Sequence, residues 1–413
     1  MRSVGWLERP TVATVPLVAS GLSGLAIAMI TAVDGGLLWR SIRVVAVGLL
    51  TFVAVRTDLR PHRLAQVLLA VLATAIGIGI GLPHAAKAGV AVLTVAGLVA
   101  FVAGLVLLLV AAVRLGTRLR SWRRLLLIPI ALVLLVFVVA PLAIAVAATN
   151  VPRTAVGSTT PADLGLAYDA VTFRTADGVD LAGWYIPSAN GSAVALLHGA
   201  GSTRAATLLH AAVLARNGYG VVLFDARGHG ESGGRAMDFG WYGDEDVAAA
   251  VAFLQQRPDV DPQRIGAVGL SMGGEEVIGA AAAVPAIRAV VAEGATGRVA
   301  TDKAWMSDVY GGRGWIQERI EWITYGFTDL LTGADPPIAL PDAATMAAPR
   351  PILLIAAANV SDEGDAARYI QSASPASVEI WDVPESGHTK GLATYPDEWE
   401  HRVVGFLADH LAA

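Results

Sequence analysis

Four runs of this chain are long and apolar enough that water is a poor solvent for them: Thr11–Val33, Leu64–Leu82, Ala88–Val113 and Leu125–Ala148. A helix crossing the hydrocarbon core of a bilayer needs about 20 such residues. A fifth run, Leu37–Val55, carries Arg40 and Arg43. An arginine at a span's centre costs roughly 2.5–3.5 kcal/mol, but both lie in the first third, where a long side chain reaches the interface. Loop charge decides the count. With five spans, Arg2, Arg9, Arg56, Arg60, Arg63, Arg114, Arg118, Arg120, Arg123 and Arg124 fall on one side, and only Arg40, Arg43 and Lys87 on the other. That split follows the positive-inside rule. Removing the second span would strand "RLGTRLRSWRR", Arg114–Arg124, on the wrong side. Five spans are therefore expected, with the N-terminus cytoplasmic.

The first run is too long for a signal-peptide core and other spans follow it, so it reads as a span. The alternating glycines from Ile76 to Gly81 lie inside an apolar span with no preceding strand, so they predict close helix packing rather than a phosphate loop. No acidic or histidine pair lies within any run, which leaves an ion or proton pathway without support. This half is read as an anchor bundle.

The chain changes character near residue 150. Residues 1–150 carry a net charge of +10, the remainder −15, and the whole chain has no cysteine. The basic residues border apolar runs and the rest is acidic, a poor match to nucleic acid. Without cysteine, disulfides, thiolate catalysis and Cys-ligated zinc are excluded. Residues 151–166 read as a Pro-, Thr- and Gly-rich linker. After it come eight short apolar runs: Ala170–Arg174, Leu181–Ile186, Ala193–Leu197, Gly220–Phe224, Ile265–Gly269, Ala289–Ala292, Ile352–Ala357 and Val378–Trp381. The first two form a hairpin across "TADGVD". Helical segments at Thr207–Arg216, Asp244–Gln256 and Gly273–Ala283 alternate with the later strands, which predicts a mostly parallel sheet covered on both faces.

In such sheets reactive groups gather beyond the carboxyl ends of the strands. "RIGAVGLSMGGEE" sets Ser271 between a strand and a helix, flanked by Gly269 and Gly273. The sharp turn leaves no room for neighbouring side chains and exposes a strained serine at a helix start. "ALLHGAGSTR" follows another strand, and its small residues let the chain pass close to the serine. The backbone N–H groups of Ala200 and Met272 are the expected oxyanion hole. His198, inside that loop, reads as structural. The serine needs a base suited to neutral pH. His62 and His84 border spans, His210, His401 and His410 lie in helical patterns, and His229 braces a turn. His388 in "VPESGHTKG" is left, in a loop after the last strand.

"TADGVDLAGWYIP", "LLHGAGSTR", "GYGVVLFDARGHGESGG", "DPQRIGAVGLSMGG" and "VPESGHTKG", in this order, make residues 167–413 resemble the α/β-hydrolase superfamily, in its dienelactone-hydrolase-like and serine-aminopeptidase-like branch. The resemblance implies an eight-stranded sheet, Ser271 as nucleophile and His388 as base. The family's acid is an Asp in the loop after the strand matching "PILLIAA". Here that loop reads "AANVSDEGD", with alanines where a His-Gly pair often stands. Asp362 is the first candidate and Glu363 the second; Asp365 is read as a helix cap, and Glu293 as a substitute position.

Residues 297–347 form an insertion read as a helical lid. Within it Trp315, Ile316, Ile320, Ile323, Phe327 and Leu330 share one helical face. That face either packs on the core or, with Trp305, Met306 and Trp322, frames an acyl pocket or touches a bilayer. The reading that follows is a membrane-anchored serine hydrolase cleaving an ester of a small-molecule or lipid-like acyl group, with its hydrolase domain outside the cytoplasm and no cofactor required. A peptidase or acyltransferase on the same triad is the alternative among enzymes, and a noncatalytic membrane sensor the alternative of another class.

Overall fold

A computed structural model describes residues 10–31, 37–119, 121–235 and 237–411. Arg2, Arg9 and Arg120, counted above for topology, lie outside these. The chain divides into two compact units, residues 1–152 with 326–331, and residues 153–325 with 332–413.

The first unit is helical: α1 Pro10–Thr31, α2 Leu37–Val55, α3 His62–Ile76, α4 Leu82–Lys87, α5 Val92–Arg118, α6 Leu127–Leu134 and α7 Ala140–Ala148. Wider π-helical turns, Gly77–Gly81 and Leu135–Val139, join α3 to α4 and α6 to α7. The described residues thus contain five helices long and apolar enough to cross a membrane, Thr14–Thr31, Leu37–Val55, His62–Lys87, Val92–Arg118 and Trp122–Ala148. The glycines at 77–81 serve packing. A Cβ on Gly79 would come within 2.5 Å of the Ala143 carbonyl oxygen, and one on Gly97 within 2.6 Å of Gly81. Ser20 donates to the Pro16 carbonyl at 2.7 Å and Thr74 to that of Ala70 at 2.7 Å, each within its own helix.

The second unit carries β1 Asp169–Arg174, β2 Asp180–Ile186, β3 Ala193–Leu197, β4 Gly220–Phe224, β5 Ile265–Leu270, β6 Ile287–Glu293, β7 Ile352–Ala357 and β8 Val378–Val383. They form one sheet in the order β1-β2-β4-β3-β5-β6-β7-β8. Only β2 runs against the others. β3, β4, β5 and β7 are buried at every position, as strands covered on both faces must be. The helices are α8 Leu208–Arg216, α9 Gly243–Leu254, α10 Met272–Ala283, α11 Met306–Tyr310, α12 Gly312–Leu331, α13 Leu340–Ala347, α14 Ser361–Ala373, α15 Gly391–Thr394 and α16 Pro396–Leu411. α8 and α16 close one face of the sheet, around Leu214, Trp399 and Leu407. α9, α10 and α13 close the other, around Val247, Val277 and Leu340. The strand order reverses direction at β3, so the chain leaves β3 and β5 toward opposite faces and opens a crevice beyond their carboxyl ends.

Residues 297–347 are largely helical, and α12 carries the apolar stripe. α12 buries Gly314, Thr324, Tyr325 and Thr328 and leaves Trp315 and Trp322 exposed at 54% and 67%. At 100° per residue the buried set lies opposite the apolar stripe. Trp315, Ile316 and Leu330 of the stripe are exposed, whereas Phe327 packs against the apolar cluster of the helical unit around Ile30, Ile80 and Leu142. On the inner side Tyr325 packs against Trp241 and Phe239 and donates to the Gly297 carbonyl at 3.1 Å, and Glu318 accepts the Ser307 N–H at 2.7 Å. Trp305 and Met306, by contrast, are buried.

Candidate active site

Ser271 sits between β5 and α10 with φ 55° and ψ −122°, a conformation a non-glycine residue holds only when its surroundings enforce it. The flanking glycines supply that enforcement. A Cβ on Gly269 would lie 2.1 Å from the Gly273 carbonyl oxygen, and one on Gly273 2.6 Å from that of His198. The Ser271 N–H donates to the Glu293 carbonyl at 2.7 Å, tying the turn to the end of β6. The turn thus lifts the side chain above the sheet, at the N-terminus of a 12-residue helix.

His388 follows β8. Its Nε2 lies 2.8 Å from the Ser271 Oγ, and its Nδ1 lies 2.5 Å from the Glu363 Oε1. Gly294, with φ +73°, leaves space for the ring; a Cβ there would come within 2.9 Å of the imidazole Cε1. The Glu363 hydrogen bond raises the imidazole pKa above its ordinary value, burial opposes it, and the Glu363 charge adds to the rise. The Nδ1 proton therefore points to the carboxylate and Nε2 faces the serine as an acceptor.

The structure brings Glu363, not Asp362, to the ring. Glu363 is buried, and its second oxygen accepts the Ala357 N–H at 2.7 Å at the end of β7. The loop after β7 is so short that the acid falls in the first turn of α14, and only the longer glutamate reaches back over the strand end. Asp362, one residue earlier on the helix, points toward the lid. It takes hydrogen bonds from the Tyr310 hydroxyl at 3.3 Å and from the Ser361 hydroxyl at 3.1 Å. Asp365 accepts from the same tyrosine at 2.9 Å and pairs with Arg368. Glu293 is a different kind of acid. Burial raises its pKa, while the Gly391 N–H at 2.8 Å and the Trp399 indole N–H at 3.1 Å stabilise its charge. It secures the segment just after His388 without touching the ring.

Ala200 and Met272 flank the serine from two sides. Met272 opens α10. Ala200 lies in the turn after β3, where a Cβ on the adjoining Gly199 would come within 3.0 Å of the Ser271 Cβ. Two histidines shape that turn. His198 Nδ1 bonds the Gly199 carbonyl at 2.8 Å, and its Nε2 accepts the Ala226 N–H at 3.1 Å. His229 Nε2 accepts the Gly201 N–H at 3.0 Å. Burial lowers the His198 pKa to about 3, so it stays neutral and structural.

Sequence reasoning did not single out the supports behind this loop. Arg204 is buried against Asp225 and Glu231, with its guanidinium 4.5 Å above the Trp184 ring. Asp225 also accepts the Arg204 N–H at 2.7 Å and the Glu231 N–H at 3.0 Å. Glu275 accepts the Thr296 and Gly297 N–H groups at 3.0 and 2.8 Å and fixes the turn after β6. The visible signal was their position: each stands within a few residues of a motif glycine or histidine.

Comparison with known proteins follows the same outline. The family described as serine aminopeptidase, S33, matches residues 188–325. A thiohydrolase of Aspergillus aculeatus is 39% identical over 128 residues, 30% of this chain and 40% of that protein. An uncharacterized Mycobacterium tuberculosis protein is 36% identical over 118 residues, 28% of this chain and 41% of its own length. The chain thus spans less than half the length of these curated relatives. Among solved structures, the Pyrococcus furiosus esterase Pf2001 superposes with a TM-score of 0.53 at 26% identity, over 64% of this chain and 98% of that one.

Proposed function

The second unit is an α/β hydrolase, and from that premise we propose that the chain is a membrane-anchored serine hydrolase that cleaves carboxylic esters through an acyl-enzyme on Ser271. The observation that carries this reading is the unbroken relay from Ser271 Oγ to His388 Nε2 at 2.8 Å and from His388 Nδ1 to Glu363 at 2.5 Å. Ser271 attacks the ester carbonyl while His388 takes its proton. Glu363 holds the ring in the tautomer that exposes Nε2 and stabilises the imidazolium without accepting its proton. Charge developing on the carbonyl oxygen is met by the backbone N–H groups of Ala200 and Met272. His388 returns the proton to the leaving alkoxide, and a water deprotonated by the same ring then releases the acid.

The esterase likeness of the second unit supports an ester as substrate. A thioester arm is worth including because the Aspergillus relative is named a thiohydrolase. Purified full-length protein, assayed on nitrophenyl esters of increasing acyl length and on matched acyl thioesters, is expected to hydrolyse esters and to react with a fluorophosphonate probe. Ser271→Ala abolishes both. A wild-type protein that neither turns over nor labels would leave the fold as a binding module.

The anchoring and orientation are part of the proposal. The five apolar helices and the side on which Arg56, Arg60, Arg63, Arg114, Arg118, Arg123 and Arg124 collect support a cytoplasmic N-terminus and an external hydrolase. A cysteine-free chain permits a clean test. In intact cells an impermeant maleimide is expected to label Ser158→Cys and to spare Thr117→Cys; the reverse pattern overturns the orientation.

A further inference from the structure

The last span is docked at one end only. Along α7 six of the nine residues are buried, whereas along α6 none is, and Ile128, Ile130, Leu132 and Val133 are all exposed. These positions cover most of a helix circumference, so this half stands away from its neighbours. In the angle between it, α3 and α5 lies a cavity of about 710 Å³, inside the range of roughly 300–1,000 Å³ usual for small-molecule sites. Most of its wall is apolar, including Val67, Leu105, Leu108, Ile130 and Leu134, but one end carries Arg63, Gln66, Arg114 and Arg118. Gln66 is buried, donates to the Ala54 carbonyl at 3.0 Å and accepts from Arg114 at 3.1 Å, which fixes that guanidinium in place. Arg63 and Arg118 line the same cavity as Arg114. Asp58, the one carboxylate among the described residues of α1–α7 and their loops, is paired with Arg56.

We propose that this cavity binds an anionic phospholipid, its phosphate on Arg63, Arg114 and Arg118 and one acyl chain along the apolar wall. Guanidinium forks match phosphate oxygens in geometry and charge. Basic pockets between membrane helices are suited to such headgroups. A zwitterionic headgroup would bring its own cation toward three others, so the site discriminates by net charge. The inference rests on the helices lying in a bilayer, a premise checked separately by whether carbonate washing leaves the full chain in the membrane fraction.

The test is native mass spectrometry of the full chain in dodecyl maltoside, titrated with phosphatidylglycerol or with phosphatidylcholine of the same acyl chains. Phosphatidylglycerol is expected to bind at least tenfold more tightly. Arg63→Gln/Arg118→Gln should bring the two lipids within about threefold, while Arg63→Lys/Arg118→Lys keeps a preference. Ala131→Trp, which fills the apolar part from an exposed position, should weaken phosphatidylglycerol binding about tenfold without lowering the melting temperature of the lipid-free protein. Equal affinity for the two lipids overturns the proposal, as does a preference that survives the glutamine pair. Full displacement by equimolar inorganic phosphate, or a stable dimer that excludes the lipid, also overturns it.

Discussion

The two units differ in how many large apolar side chains they leave exposed. In the helical unit many positions of closest contact belong to small residues, with Ala54, Ala70, Ala73 and Ala100 fully buried beside Ile27 and Leu69, while Leu49, Phe52, Val102 and Leu109 face outward. In the α/β unit the fully buried side chains include Trp399, Tyr185, Phe224, Leu196 and Leu223. Water explains the difference. Expelling large apolar surface from water drives the second unit together. In the bilayer proposed for the first unit, hydrocarbon would give large side chains no reason to leave it, and helices would associate by backbone approach at small residues. The units also differ in buried charge: Asp225, Asp246, Glu275, Glu293 and Glu363 are all buried in the second. Each is matched by N–H groups or a guanidinium, as burial of a carboxylate requires.

The sharpest test concerns those buried acids, because only one of them touches the histidine. Glu363→Gln should lower kcat for ester hydrolysis by roughly 10³–10⁴-fold, the scale of a mis-set imidazole tautomer. Asp362→Asn should change it by less than about threefold. The pH profile gives an independent reading. Neutral imidazole is the working base, so kcat/KM falls as pH drops through the His388 pKa, which Glu363 holds above the ordinary 6.5. Without that carboxylate, the acid limb of the residual activity should move to lower pH; in Asp362→Asn it should stay in place.

The next largest effect breaks the packing rule of the helical unit. Gly97→Leu drives a side chain into the Gly81 backbone, where even a Cβ would lie at 2.6 Å, and should cost about 3 kcal/mol. Gly48→Leu, at a position with nothing within 4 Å, should be neutral or stabilising by up to about 1 kcal/mol through helix propensity. Thermal unfolding in detergent checks both. Equal losses at the two sites would mean the helices do not meet through these glycines.

Much of this was legible in the sequence. All eight strands coincide with apolar runs to within two residues at their ends, most plainly β3, β4, β5 and β7, which are buried on both faces and carry no polar interruption. The elbow was legible because only glycine fits at 269 and 273. The acid was not. Choosing between Asp362 and Glu363 depends on where α14 begins and how far each side chain reaches, quantities that need the folded loop. The arginine cluster was also hidden. Arg114 and Gln66 meet across 48 residues of chain, and no local pattern announces a contact made by antiparallel helices.

The lid is where periodicity told half the truth, and it supplies the smallest predicted effect. A stripe of apolar residues at helical spacing gives the phase of a face but not its direction. In α12, Trp315, Ile316 and Leu330 of that face stay exposed, while Phe327 is packed among apolar neighbours. Trp315 and Trp322 are exposed, and at the proposed bilayer surface an indole's apolar body and polar N–H would both be satisfied. Replacing both with serine removes no interior contact, so kcat on a short, soluble ester should be unchanged. On a long-chain ester presented in vesicles, the same double substitution should raise KM about three- to tenfold, on the order of 1 kcal/mol. A parallel loss on the soluble ester would instead assign the two indoles to the shape of the acyl site. The pair of substrates therefore separates a surface that meets lipid from a wall that meets the reacting acyl chain.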